Sequence, residues 1–315
     1  MKRLRTRLAP SPTGALHLGN ARTFLVTWAI ARRANGTLPM RIEDLDGPRV
    51  KPGSEAAMLD TLRWLGLDWD GPIERQSDDV EPYRTAMRQL SADGLIFRCD
   101  HSRSEIEAAA SAPHAGDHEL HFPASLRPPP GSKHWGFAGD GHAHRFRVEP
   151  GPRVIQDQLR GSVSIDVGRS VGDVQVWTRA GGPAYQLAVV VDDARQDVTD
   201  VIRGDDLLPS AARQELLHLA LGSTPPRWWH LPLVLGPDGR RLAKRHGDTR
   251  VATYREAGVP ASRIIGWTAW TCGLLERPAP MDASEFLQAL DPDTLAPGPP
   301  AVTFTPEDHR WLCSE

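Results

Sequence analysis

The segment Arg7-Leu8-Ala9-Pro10-Ser11-Pro12-Thr13-Gly14-Ala15-Leu16-His17-Leu18-Gly19-Asn20 joins a rigid turn, two glycines and an imidazole just ahead of a helical pattern. Pro10 and Pro12 hold the chain extended and bar an early helix. Gly14 and Gly19 allow tight turns and close approach of the backbone to a ligand. A helix N-terminus carries N–H groups without intrahelical partners and suits a phosphate. His17, at that turn, could donate a hydrogen bond to a phosphate oxygen. A second segment, Gly239-Arg240-Arg241-Leu242-Ala243-Lys244-Arg245-His246-Gly247, lies far along the chain and is strongly basic. Alone, the first reads equally as an ordinary β–α turn, and the second as a solvated basic loop.

Elements must bring these segments together. Residues 4–9 read as a strand. From Ala21 the apolar residues Ala21, Phe24, Leu25, Trp28 and Ala29 mark a helix over 20–34 with one buried face, and Asn35-Gly36 is its stop. Leu38 to Glu43 reads as a second strand, with Arg41-Ile42-Glu43-Asp44-Leu45-Asp46 at its end. Strand, helix and strand in close succession form the βαβ unit of a parallel sheet. Ligands bind beyond the carboxyl ends of such strands, so Arg7 and Glu43 should point into one crevice. A helix follows with Ser54 as its cap and closes at Gly66, and another runs from Pro82 to Gly94. Residues from about 96 to 165 break the pattern with Cys99, a histidine-rich run and Pro128-Pro129-Pro130, and read as an insertion. Tyr185 to Val191 is apolar and β-branched, and reads as a buried parallel strand ending in Asp192-Asp193. Val201-Ile202-Arg203-Gly204 follows, then helical spacing over 211–221. Strand-like Leu231 to Leu235 leads into the basic loop, and from about 249 the pattern is mostly helical.

Composition sets limits on class and partners. The 40% hydrophobic content supports a sizeable core and excludes global disorder. No apolar run approaches a membrane span. Met1-Lys2-Arg3-Leu4-Arg5 is basic but lacks the apolar stretch of a secretory signal. The three cysteines, Cys99, Cys272 and Cys313, are odd in number and far apart, which points to a reducing, cytoplasmic setting. With a formal net charge of -3, any nucleic-acid surface must be local.

Pro-Ser-Pro-Thr-Gly with His17-Leu18-Gly19-Asn20 resembles the HIGH signature of glutamyl-tRNA synthetases. Arg41 to Asp46 resembles their next motif. Tyr185 through Asp193, with Val201 to Gly204, resembles the segment closing the amino-acid pocket. Arg241-Leu242-Ala243-Lys244-Arg245 resembles KMSKS, and Phe304 to Leu312 the last piece of the stem-contact region. Asn20 replaces the last residue of HIGH, and Ala243 the usual serine of the basic loop. The sequence then stops short of an anticodon-binding domain. That plan resembles the glutamyl-queuosine tRNA(Asp) synthetases. The resemblance implies an α/β fold: a Rossmann-like, doubly wound parallel sheet of class I synthetase type with an inserted subdomain. Its parts would be 1–95 as the first half of the catalytic domain, 96–165 as the insertion and 166–248 as the second half with the basic loop. Residues 249–315 would form a helical stem-contact-like region, with no anticodon-binding domain.

The implied reaction begins with ATP-dependent, tRNA-independent activation of L-glutamate. The glutamyl group then passes to queuosine in the anticodon loop of tRNA(Asp). His17 and Lys244 would be catalytic, cancelling charge on the triphosphate and the departing pyrophosphate. ATP would contact these two together with Gly19, Asn20, Arg241, Leu242, Ala243 and Arg245, and Mg²⁺ is expected with it. Glutamate would be held by Arg7, Leu8, Ala9, Pro10, Ser11, Glu43, Tyr185 and Arg203. Arg7 and Arg203 suit its side-chain carboxylate, and Glu43 its ammonium. Glu43 with Arg203 could instead be a structural ion pair, and Tyr185 plain core. Many relatives bind zinc through Cys-x-Cys and a later Tyr-x-x-x-Cys. Here these read Cys99-Asp100-His101 and Phe122 to Leu126, so two of four ligands are gone and zinc is read as lost. Cys99 and His101 remain as candidates, with His114, His118 or His121 as substitutes. Trp228-Trp229-His230, Trp267 and Trp270 could stack on bases, though core positions suit the tryptophans better. The protein is expected to act as a monomer away from membranes. Two other readings stay open. One is a truncated glutamyl-tRNA synthetase charging the 3′ end of tRNA(Glu) or tRNA(Gln). The other is a non-catalytic paralogue that binds glutamate or its adenylate.

Overall fold

The computed structural model describes residues 3–47, 50–109, 120–137, 139, 141–240, 242, 248–293, 295 and 301–314. In chain order the elements are α1 (Leu18–Arg33), β1 (Pro39–Ile42), α2 (Ser54–Trp64), β2 (Asp70–Arg75), α3 (Glu81–Ala92), β3 (Ile96–Cys99) and α4 (Arg103–Ala109). Next come β4 (Ala143–Phe146), β5 (Arg153–Asp157), β6 (Gly161–Ile165), α5 (Val167–Ser170), β7 (Val174–Trp177), α6 (Tyr185–Arg195), β8 (Asp200–Gly204) and α7 (Leu208–Ala220). The chain continues with β9 (Arg227–Leu231), β10 (Leu233–Leu235), α8 (Val251–Glu256), α9 (Ala261–Thr271), α10 (Ala283–Ala289), β11 (Ala301–Thr303) and α11 (Pro306–Cys313).

The architecture is α/β around parallel strands. β1 pairs parallel with β2, and β8 pairs parallel with β9. β9 pairs parallel with β5, and β5 antiparallel with β6. The N-terminal segment joins the two groups. Leu8 N–H donates to Pro39, and Arg41 N–H to Leu8, while Thr199 N–H donates to the Arg5 carbonyl. The strand expected over 4–9 is therefore two isolated parallel bridges, Arg5 to Thr37 and Leu8 to Met40, because its backbone bonds are divided between two neighbours. After this segment the chain passes through α1 to β1 on one side, while β8 lies on the other. The cleft between them is a topological switch point. Gly36 closes the first crossover: a Cβ there would meet the Leu4 carbonyl oxygen at 2.6 Å.

One assignment from the sequence is corrected. Tyr185 to Val191 is not a strand but the first part of helix α6, and Asp192-Asp193 lies within that helix rather than at a strand end. Every residue from Gln186 to Asp193 is buried. A helix packed on all sides has no polar stripe, so its period disappears and a β-branched apolar run imitates a strand.

β3, β4 and β7 form a separate antiparallel sheet, carrying a small apolar cluster of Phe97, Cys99, Ile106 and Phe122. Strand pairing cuts across the expected 96–165 segment. β5 and β6 join the main sheet, whereas β7, further along, pairs with β4. The C-terminal helices extend the main core. Trp267, Phe286, Leu290 and Leu312 are fully buried in the cluster that holds Leu25 and Ala29 of α1. Among the described residues, no helix is long and apolar enough to cross a membrane.

Candidate active site

A cavity of about 200 Å³ opens at the carboxyl ends of the parallel strands. The N-terminal segment contributes Arg7 and Ala9, the start of α1 His17, Gly19 and Asn20, and the end of β1 Glu43. α6 contributes Tyr185, β8 Arg203 and Gly204, and the approach to the basic loop Leu242. Residues far apart in sequence, from Arg7 to Leu242, thus line one cavity.

One end is built around the start of α1. His17 is the N-cap residue, and its backbone N–H donates to Oδ1 of Asn20 at 3.3 Å. Asn20 therefore closes the helix end as well as lining the cavity. A Cβ on Gly19 would stand 3.3 Å from the His17 ring, so glycine lets the imidazole lie against the backbone. Leu16, His17 and Leu18 pair with the segment that follows the basic loop: Leu18 N–H donates to Thr249, and Val251 N–H to Leu16. Arg240 is exposed. Arg241, Ala243, Lys244 and Arg245 lie outside the described residues, but Leu242, ahead of Ala243, and Thr249–Arg250, after the loop, both border the His17 region.

The other end is a buried ionic network. Oδ1 of Asp193 accepts from Arg7 Nε at 3.1 Å and stands 2.8 Å from an Arg41 terminal nitrogen. Arg41 also reaches Glu43 at 3.3 Å and Gln196 at 2.8 Å. Asp192 is held by Gln76 at 2.8 Å and by the Tyr83 hydroxyl at 2.9 Å. Burial pushes the Asp193 carboxyl up, but Arg7 and Arg41 outweigh it and hold it below the usual carboxylate range. For Glu43 burial wins over Arg41 and Arg7, and its carboxyl lies above the usual range. Such a group gains from a cationic ligand.

Arg203 differs from Arg7 and Arg41. It is 5% exposed, and its three hydrogen bonds go to neutral groups. Nε donates to His230 at 3.0 Å, one terminal nitrogen to Gln214 at 2.8 Å and the other to the Leu207 carbonyl at 3.1 Å. Burial pushes its pKa down to about 10. Arg203 does not pair with Glu43, whose bond goes to Arg41, so the ion-pair alternative is not what forms. Tyr185 is 41% exposed at the start of α6 and lines the cavity, so it is not plain core.

Some expected contacts fall elsewhere. Leu8 and Pro10 are buried and Ser11 is exposed, and none of the three lines the cavity. Trp228, Trp229 and Trp267 are buried and offer no open face to a base. Cys99 is packed in the apolar cluster of the small sheet, and His101 lies against Phe122. Among the described residues, no group of three or more His, Cys, Asp or Glu could hold a metal. His114 and His118 lie outside the described residues. The sequence gives no site role to Arg41, Asp193, Gln214 or Asp157, and marks His230 only as part of a stacking surface. Arg41 and Asp193 at least stand within segments that it does mark.

A second cavity, of about 540 Å³, lies on the small-sheet side of Tyr185, which lines both. Arg103, Arg145, Arg179 and His101 line it, with no Asp or Glu among its lining residues.

A parallel α/β sheet with a glycine–imidazole helix start and an amino-acid-sized ionic pocket at its carboxyl rim defines a class I synthetase catalytic domain. The chain belongs to the family of class I tRNA synthetases (E and Q), whose catalytic domain matches residues 3–271. It is 45% identical over 279 residues to a glutamyl-Q tRNA(Asp) synthetase from Rhodopirellula baltica, covering 85% of this chain and 84% of that protein. A glutamyl-Q tRNA(Asp) synthetase from Symbiobacterium thermophilum is 42% identical over 297 residues, covering 90% and 91%. The crystal structure of a glutamate-tRNA synthetase from Elizabethkingia anophelis superposes with a TM-score of 0.80 at 27% identity, covering 99% of this chain and 70% of that one. Within its family the chain groups with the glutamyl-Q tRNA(Asp) synthetases, and it is a ligase-type enzyme.

Proposed function

We propose that the protein activates L-glutamate with ATP, without tRNA, and transfers it to queuosine in the anticodon loop of tRNA(Asp). In the first step a glutamate α-carboxylate oxygen attacks the α-phosphorus of ATP. The bond to the β-phosphate oxygen breaks, and pyrophosphate leaves. In the second, a hydroxyl of the queuosine cyclopentene ring attacks the adenylate carbonyl and AMP leaves. The observation that carries the reading is the cavity's polarity. Arg203 is a buried cation bonded to neutral groups, and Glu43 is a carboxylate raised by burial. Together they complement a side-chain carboxylate and an ammonium. Arg7 and Tyr185 complete that end, while His17, Gly19 and Asn20 form the nucleotide end. ATP would bring Mg²⁺ as its counter-ion. Lys244 is assigned to the pyrophosphate, with Arg241 and Arg245 beside it. Support comes from both flanks of its loop, which border the His17 region.

The acceptor would approach from the second cavity. Its arginine-rich, carboxylate-free lining suits an RNA backbone, and Tyr185 is common to both spaces. We further assign residues 1–95 to the first half of the catalytic domain and 249–315 to the stem-contact-like region; the expected bounds of the insertion at 96–165 and of the second half at 166–248 give way to an interleaved arrangement, since β5 and β6 pair into the main sheet and β7 pairs with β4.

The deciding experiment supplies radiolabelled glutamate and ATP with queuosine-containing tRNA(Asp), queuosine-free tRNA(Asp) or tRNA(Glu). Acid-labile label is expected on the first alone. Label only on tRNA(Glu) would replace this reading with 3′-end charging. Absence of glutamate-dependent ATP–pyrophosphate exchange would replace it with a binding paralogue. Lys244→Ala should lower exchange by about 100- to 1000-fold, the effect of losing one transition-state charge partner. Glutamate binding measured by calorimetry should stay nearly unchanged. Unaltered exchange would remove Lys244 from the mechanism.

A further inference from the structure

His230, in β9, is fully buried. Its Nε2 stands 3.0 Å from Nε of Arg203, and its Nδ1 stands 2.5 Å from Oδ2 of Asp157. A guanidinium nitrogen can only donate, so Nε2 must accept and the ring proton must sit on Nδ1. Asp157 is fixed in its turn. Its Oδ1 accepts from the backbone N–H groups of Leu159 at 2.9 Å and Arg160 at 2.8 Å, which leaves Oδ2 for the imidazole. The Trp228 ring stacks on His230 with 24° between planes and lies 4.9 Å under the Arg203 guanidinium. Burial pushes the His230 pKa down to about 4, against the pull of Asp157, so the ring is neutral at physiological pH. Arg203 has five N–H groups, and three are spent on His230, Gln214 and Leu207. Among the described residues that leaves two, the number a bidentate carboxylate takes.

We propose that Asp157 and His230 are positioning residues for amino-acid recognition: Asp157 selects the Nδ1–H tautomer of His230, whose Nε2 lone pair aims the Arg203 guanidinium at the side-chain carboxylate of the substrate. The inference rests on the reading of Arg203 given under Proposed function. No acid–base step passes through this chain of bonds. Its work is finished before substrate arrives, because a guanidinium already held on three sides loses little freedom on binding.

Asp157→Asn tests it with almost no change of shape. The Leu159 and Arg160 N–H groups hold the amide oxygen, so the new NH₂ faces Nδ1. His230 must then accept at Nδ1 and carry its proton on Nε2, against the Arg203 Nε–H. Long-range proton–nitrogen NMR of histidine-labelled protein should show the ring proton moving from Nδ1 to Nε2. The glutamate KM in ATP–pyrophosphate exchange should rise about 10- to 100-fold, the scale of an opposed buried hydrogen bond. The ATP KM, and kcat at saturating glutamate, should stay near the parent values, a split that general loosening of the fold would not produce. Tautomer inversion with an unchanged glutamate KM overturns the proposal, and so does a ring proton that stays on Nδ1. A second pair avoids Asp157. His230→Gln keeps an acceptor toward Arg203 and His230→Leu does not, so only the leucine variant should show the raised glutamate KM. Equal values in the two overturn the proposal. Arg203→Ala separates the layers. If it leaves the glutamate KM unchanged, the reading of Arg203 falls. If it raises KM while Asp157→Asn does not, the positioning proposal alone falls.

Discussion

Arg203→Ala should raise the glutamate KM for adenylate formation by about 30-fold to several thousand-fold, the range for truncating one partner of a buried, hydrogen-bonded charge pair at 2–5 kcal/mol. The cation is buried at 5% exposure, and water cannot replace it cheaply. For the folded protein itself two effects oppose each other. A buried guanidinium bonded to neutral groups carries a desolvation cost, and its removal relieves that cost. Against this, Nε2 of His230 and Oε1 of Gln214 lose their donors, at about 1–3 kcal/mol each if water does not enter. Arg203→Lys should fail almost as badly, because a point-like ammonium cannot reproduce the two-pronged geometry. Exchange rates measured against glutamate at fixed ATP check this, with the ATP KM as the internal control. A rise in both KM values together would show general damage to the cavity instead of a lost carboxylate partner.

Asp193→Asn should cost about 3–5 kcal/mol of folding stability at neutral pH, the penalty for breaking a buried ion pair from one side. Asp193 is 1% exposed and touches both Arg7 and Arg41, themselves 6% and 2% exposed. Neutralising it strands two buried cations, with Asp192 and Glu43 near Arg41 left to compensate among the described residues. The effect should depend on pH with a definite sign. The folded-state pKa of Asp193 lies below its unfolded value, so its contribution is complete above the unfolded value and is lost as pH falls through the folded one. The stability gap between parent and variant, measured by denaturant titration, should therefore be widest near neutrality and shrink in acid. A gap that stays constant across that range would mean that packing rather than charge carries the effect. Glutamate binding should weaken as well, since Arg7 lines the cavity while Asp193 holds its Nε.

The first βαβ unit was legible because its signals are local. Pro10, Pro12, Gly14 and Gly19 mark the turn, and the apolar spacing from Ala21 marks the helix found over Leu18–Arg33. The same logic failed at α6. Gln186 to Asp193 is buried on every side, and complete burial removes the polar stripe by which a helix is recognised. It failed again at the insertion, since composition marks an irregular stretch but not which strands leave it. β5 and β6 return to the main sheet and β7 does not.

From its order of residues alone, this chain declares a strand–turn–helix for phosphate, a basic loop, and the arginines and glutamate for a charged amino acid. These are short-range patterns of residue type. Folding alone decided which charge answers which. Arg7 meets Asp193 across 186 residues, and His230 meets Asp157 across 73. Hydrogen bonding is directional and short in reach, so Arg7 gives its Nε–H to the carboxylate of Asp193 while Arg203 gives its Nε–H to a neutral imidazole. Nothing in either arginine's own neighbourhood distinguishes them. The difference lies in a carboxylate on one buried helix and a neutral imidazole on one buried strand.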